Sequence, residues 1–257
     1  MIRKFAIGLA SLTAVLSLQA ANTGFDDASN APYNDGWQTG DNGGTGYGAW
    51  TLNSTGNSSQ AGFFMGSSSA NAGGSSGNID TAGRSWGMYA NTGQLAEAFR
   101  PLTGGSLLVG QSITLSIDTG FIQSTGSQGF GLQTSGGVNR MEFFFNGGDT
   151  NYTLADSTGS HNTGIGFTGN GLSFLFTLTG TDTYSLSVNG GTPFTGTLEG
   201  VAGTGIGQMR FFDFNAGNGS DGNFYVNLLT VPEASPRIFF VLPALLGVFF
   251  LRRRRAA

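Results

Sequence analysis

Two groups of oxygen-bearing side chains mark where this chain could do chemistry. Asp26, Asp27, Asn30, Asn34 and Asp35 lie near the start, and Asp213, Asn215, Asn218, Asp221 and Asn223 near the end. Calcium takes about six to eight oxygens from carboxylates, amides and backbone carbonyls, and such clusters supply them. If the first and last strands pair, the clusters could meet and hold a structural calcium, with Asp26, Asp27, Asp35, Asp213 and Asp221 as its carboxylates. The same residue types are ordinary turn formers, and no EF-hand loop is present. Nothing else in the sequence requires a cofactor.

Catalytic signatures are scarce. The one histidine, His161, sits in a Ser-Thr-Gly-Asn stretch that reads as a loop, without the neighbours a Ser-His-Asp site needs. A single histidine cannot build a histidine-rich metal centre. The body's glutamates, Glu97, Glu142 and Glu199, are scattered, and no glucanase-type Glu-x-Asp-x-x-Glu arrangement occurs. A glycosidase needs two facing carboxylates, so a hydrolase would have to draw them from the aspartates. With no cysteine there is no thiol nucleophile, thiolate metal site or disulfide. The run Gly203-Thr204-Gly205-Ile206-Gly207 is followed by no lysine and opens no helix, so it is not a phosphate loop. Sugar recognition asks for less: an exposed aromatic platform with amides beside it. Trp37, Trp50 and Trp86, with Tyr33 and Tyr47, are the candidates.

Short strands must position these groups. Ser112 to Asp118 alternates strictly, with Ile113, Leu115 and Ile117 on one face. Leu172 to Leu178 and Thr183 to Val188 do the same, and Asn189-Gly190-Gly191 is a hairpin signal leading to Phe194–Leu198. Further strands are expected around Phe63–Met65 and over Trp86–Tyr89, Gln94–Leu102, Gly129–Thr134, Arg140–Phe145, Asn151–Ala155, Ile206–Phe214 and Asn223–Leu229. That makes roughly ten to thirteen strands at the spacing of a sandwich. A β-helix is the runner-up, but no fixed rung length recurs. The strand order, carried by Gln94 to Asp118 and by Tyr184 to Leu229, resembles the concanavalin-like, lectin-type jelly roll. That resemblance implies either a sugar-binding module or a glycosidase.

The ends differ from the body. Arg3 and Lys4 precede an apolar run, Phe5 to Leu18, and the small pair Ala20-Ala21, as in a secretory signal helix over residues 1–20. Residues 231–257 hold Val231-Pro232-Glu233-Ala234-Ser235, an apolar helix over 238–251, and Arg252, Arg253, Arg254 and Arg255. Fourteen apolar residues reach roughly 21 Å, short of a hydrocarbon core of about 30 Å. The arginines favour the cytoplasmic side and place the body outside. This end resembles the PEP-CTERM sorting signal of exosortase substrates. Val231, Pro232, Glu233 and Ser235 match its usual motif, and Ala234 replaces a proline. The resemblance implies export in a Gram-negative-type bacterium, a transient single-pass tether in the inner membrane, and cleavage by an exosortase-type partner. A permanent anchor is the alternative.

Residues 21–230 form the passenger. It has four arginines, no lysine and fourteen acids, a charge near −10. That charge argues against nucleic acid and anionic lipid as partners of the body and is compatible with neutral polysaccharide and divalent cations. The expected fold is therefore an all-β jelly-roll sandwich flanked by an N-terminal signal helix and a C-terminal transmembrane helix. The expected role is non-enzymatic at the cell surface or in an extracellular polysaccharide matrix: adhesive, carbohydrate-associated or structural. A surface glycan hydrolase is the rival.

Overall fold

The computed structural model describes residues 23–71 and 79–232. The expected signal and transmembrane helices, with Glu233, Ser235 and Arg252 to Arg255, lie outside the described residues. Among the described residues no helix is long and apolar enough to cross a membrane.

Fifteen strands run through these residues. The first five are β1 (Gly24–Asp26), β2 (Thr51–Ser54), β3 (Ala61–Gly66), β4 (Ser85–Ala90) and β5 (Leu95–Pro101). Then come β6 (Ser112–Thr119), β7 (Ser127–Gln133), β8 (Asn139–Asn146), β9 (Asn151–Asp156) and β10 (Gly159–Gly166). The chain closes with β11 (Leu172–Leu178), β12 (Thr183–Val188), β13 (Phe194–Thr197), β14 (Gln208–Phe214) and β15 (Phe224–Val231). They form an all-β sandwich of two antiparallel sheets. The larger runs β13-β12-β11-β6-β15-β4-β3, with β1 also against β15, and the smaller runs β10-β9-β8-β7-β14-β5-β2.

Period-two patterning explains the layers. Ile113, Leu115 and Ile117 on β6 and Leu172, Phe174, Phe176 and Leu178 on β11 all face the core. From the smaller sheet Phe130 and Phe143 meet Phe174 edge-on, at 4.9 and 4.8 Å between ring centroids. The β12–β13 turn is the primed kind that Asn-Gly favours, with φ of 49° at Asn189 and 69° at Gly190. β10 departs from expectation. His161 stands on this edge strand, not in a loop, because Gly159 to Asn162 pair in register with β9 through main-chain groups.

β15 organises the larger sheet. One side pairs with β6; the other pairs first with β4 and then with β1. The change of partner falls at an irregularity between Asn227 and Thr230. The fully buried Asn227 amide fastens it. Its oxygen accepts from Ala28 N (3.0 Å) and Leu228 N (2.9 Å), and its nitrogen donates to Ile79 O (2.8 Å) and Arg84 O (3.0 Å).

Candidate functional site

The tryptophans do not make a platform. Trp37, Trp50 and Trp86 are buried, as are Tyr33 and Tyr47. Trp37 packs edge-on against Trp50 at 5.0 Å, and Trp50 against Trp86 at 5.2 Å. Burying such rings gains far more than exposing them, and each edge-to-face pair adds about 0.5–1.5 kcal/mol. Beneath them lies Arg100, fully buried, its guanidinium 5.0 Å from the Trp50 ring.

Arg100 also brings a positive charge of its own into the first acidic cluster. It donates to Asp26, whose carboxylate takes the Tyr33 hydroxyl and the Asn30 amide (2.8 Å) as well. Burial raises the Asp26 carboxyl above its ordinary value; Tyr33, Arg100 and Asn30 work against that. Asp27 is spent on a turn, accepting from Ser29 N (2.8 Å) and Ser29 Oγ (2.6 Å). Asp35 and Asp221 are exposed. Asp213 points into the core, where Gln128 donates to it at 3.1 Å and burial lifts its carboxyl well above the usual range. The first and last strands do pair, but at the Leu229–Val231 end of β15, whereas Asp221 and Asn223 precede its other end at Phe224. Among the described residues no three acidic or histidine side chains converge on one point. Of the residues expected to form a sorting motif, Val231 is the buried last residue of β15, opposite Gly24, and Pro232 is exposed.

His161 Nε2 lies 2.7 Å from Thr158 Oγ1 and 3.4 Å from Asp156 Oδ1. Both partners meet the same ring nitrogen, so the imidazole cannot relay a proton between them as a catalytic triad requires.

A different aromatic surface stands on the outer face of the larger sheet. The β3–β4 register sets Phe64 opposite Gly87 and Tyr89 opposite Gly62. Each ring reaches across to the facing glycine. A Cβ on Gly87 would strike the Phe64 ring, and one on Gly62 would sit 2.9 Å from the Tyr89 oxygen. Glycine is thus required at both positions for the rings to lie on the sheet. The row continues through Tyr225, edge-on to Phe64 at 5.7 Å, to Asp118 on β6. Phe64 and Tyr89 are partly exposed, and with Ser59, Asn91, Ser220 and Asn223 they line a groove of about 390 Å³. Among the described residues that line it, the tyrosine hydroxyl is the one ionisable group.

Beyond Tyr225 the row ends in a sealed corner. Asp118 is 1% exposed and Asn71 6%, and among the described residues no well-formed hydrogen bond satisfies either side chain. Burial pushes the Asp118 carboxyl up to about 7, with Asn71 and Gly171 N drawing it down and Asp80 adding a further push. Asp80 goes the other way. Its burial is outweighed by the Ser67 and Ser85 hydroxyls and the Ser68 N–H, which hold it below the ordinary carboxylate range. Beside this corner a second groove, about 340 Å³, runs past Asp80, Ser116, Asn170, Ser173 and Asn189.

No family model matches the chain, and no curated protein matches it. Among solved structures it is similar to the apo Crh5 transglycosylase, at 11% identity over 85% of this chain and 87% of that one, with a TM-score of 0.49. It is similar to the carbohydrate esterase vb_24B_21 of Shiga toxin-encoding bacteriophage phi24B, at 15% identity, 72% and 90% coverage and a TM-score of 0.47. The Caenorhabditis elegans galectin LEC-6 matches at 15% identity, 52% and 89% coverage and a TM-score of 0.38. Likenesses this distant concern the path of the chain, not what it binds.

Proposed function

We propose that this chain is an exported, non-enzymatic bacterial surface or extracellular-matrix protein of lectin-type jelly-roll form. It binds neutral polysaccharide across the outer face of its larger sheet. The observation that carries this reading is the reciprocal pair Phe64 over Gly87 and Tyr89 over Gly62, flanked by Asn91, Asn223, Ser59 and Ser220. Partly exposed rings offer apolar surface to the C–H faces of a sugar, and amides and hydroxyls match its hydroxyl groups without introducing charge. The acidic, lysine-free body disfavours anionic polymers.

Hydrolysis finds less support. Asp118 and Asp80 hold their protons differently, as an acid–base pair would. Yet Asp118 is sealed, and the Asp80 oxygens are engaged by Ser67, Ser68 and Ser85. Glu97 and Glu142 do converge, but on Arg210, which stands between them where a glycosidic oxygen would have to lie.

A glycan array on the purified chain tests the binding, followed by Phe64→Ala and Gly87→Val. Either change should weaken binding about tenfold or more, equivalent to at least ~1.4 kcal/mol. Unchanged affinity in both variants refutes the site. The tail motif supports the sorting half of the reading, with an exosortase-type enzyme as partner and the inner membrane as a temporary station. Mass spectrometry of the surface-located protein should find a C-terminus near Val231–Arg237, and an intact Arg252–Arg255 end would make the tail a permanent anchor.

A further inference from the structure

The outer face of the smaller sheet carries a groove that the proposed site does not use. Its floor is β7, where Gly129 and Gly131 face outward and let side chains from both neighbouring strands close in. A Cβ on Gly129 would lie 2.6 Å from Phe144 Cβ. Phe212 and Phe214 on β14 form one wall and Phe144 on β8 the other, around about 320 Å³. Phe214 is 43% exposed. One end is closed by a charged clamp: Arg210 Nε donates to Glu97 at 2.7 Å and Nη1 to Glu142 at 2.9 Å, with the guanidinium 4.5 Å from the Phe212 ring. The next row along the strands is a chain of amides, Gln208 to Gln133 at 2.8 Å and Gln133 to Asn139 at 2.6 Å.

Aromatic walls, a fixed guanidinium between two carboxylates and a neighbouring row of amides suit a chain of hydroxyl groups on an apolar frame. A sugar hydroxyl can accept from a guanidinium and donate to a carboxylate at once. The clamp carries one more negative charge than positive, so it disfavours an anionic polymer, as the body does. Outward residues on one strand repeat about every 7 Å, so the four rows from Gln208 to Phe214 span roughly 20 Å, room for several sugars of a polymer.

We infer that this groove is a second site for neutral polysaccharide, so that one copy of the chain grips two polymer segments on opposite faces and cross-links them without oligomerising. This rests on the first site being a glycan site. The outer faces of a two-sheet sandwich point away from each other, so one short segment cannot fill both.

The test is affinity electrophoresis and light scattering of the full chain with galactomannan, hydroxyethyl cellulose and mixed-linkage β-glucan, comparing Phe64→Ala, Phe214→Ala, Arg210→Gln and the Phe64→Ala/Phe214→Ala double variant. With at least one polymer the parent chain should be retarded and raise the scattering, with a maximum at intermediate protein-to-polymer ratio. Each single variant should keep weakened retardation and lose most of the scattering; the double variant should lose both. Phe214 is exposed, so its truncation leaves the fold intact, and circular dichroism verifies this for every variant. If Phe64→Ala abolishes all retardation while Phe214→Ala and Arg210→Gln behave as the parent, the first site stands and cross-linking falls. If none of the three polymers retards the parent chain, both readings fall.

Discussion

Replacing Asp118 with asparagine should make this protein more stable in a way that depends on pH. Asp118 is buried with no well-formed hydrogen bond among the described residues, and burial outweighs Asn71 and Gly171 N to push its carboxyl from the ordinary 3.8 up to about 7. The folded state therefore keeps a proton that the unfolded chain has already released. Its contribution is fully present below pH 4 and is lost as pH rises towards 7, at 1.36 kcal/mol per unit, or about 4 kcal/mol in all. Asparagine cannot ionise, so the variant escapes that loss. Any cost of burying the amide is the same at every pH and drops out of the comparison. So do the other carboxyls that burial raises, Asp26, Asp213 and Glu142, because both proteins share them. Urea unfolding of parent and Asp118→Asn at pH 4.5, 6 and 8 measures the gap. Stability of the variant relative to the parent should climb by roughly 2–4 kcal/mol across that range with little change in the denaturant slope. Parallel stability curves would refute the account of a sealed carboxyl that burial keeps protonated.

Two further substitutions probe buried polar groups. Arg100→Met strands the Asp26 carboxylate in the core and should cost about 3–5 kcal/mol at neutral pH by chemical denaturation; a loss under 1 kcal/mol would mean that the pair is not sealed. Asn227→Ala leaves the Ala28 and Leu228 N–H groups and the Ile79 carbonyl without this partner, and should lower the unfolding free energy by about 3 kcal/mol. Amide hydrogen exchange should then quicken at Ala28 and Leu228 before the rest of the larger sheet, and uniform protection there would contradict the fastening role.

The strands were legible where alternation was clean. β11 and β12 fall on the bounds that Leu172–Leu178 and Thr183–Val188 give, because one face of each is wholly apolar. β10 was not, since Gly-Ser-His-Asn-Thr-Gly is held at the sheet edge by main-chain pairing and sends almost nothing into the core. Trp86 could have been placed inside: it shares its parity with Met88 and Ala90, against Ser85, Gly87 and Tyr89. Trp37 and Trp50 lie outside strands, where no parity exists to read. The platform that does stand on the surface was hidden for a related reason. Phe64 and Tyr89 are ordinary strand aromatics until the register sets a glycine against each. Glu97 and Glu142 looked unrelated because Arg210, the residue that joins them, belongs to a strand far along the chain.

The meeting of β1 and β15 also decides how the body bears load. Gly24 faces Val231, so residues 1–22 and 233–257 attach at one corner of the sandwich. Tension drawn between those two attachments would peel β1 from β15 one backbone pair at a time, the weakest direction in which a sheet can be pulled. Held by one attachment alone, the same body transmits no strain through that seam.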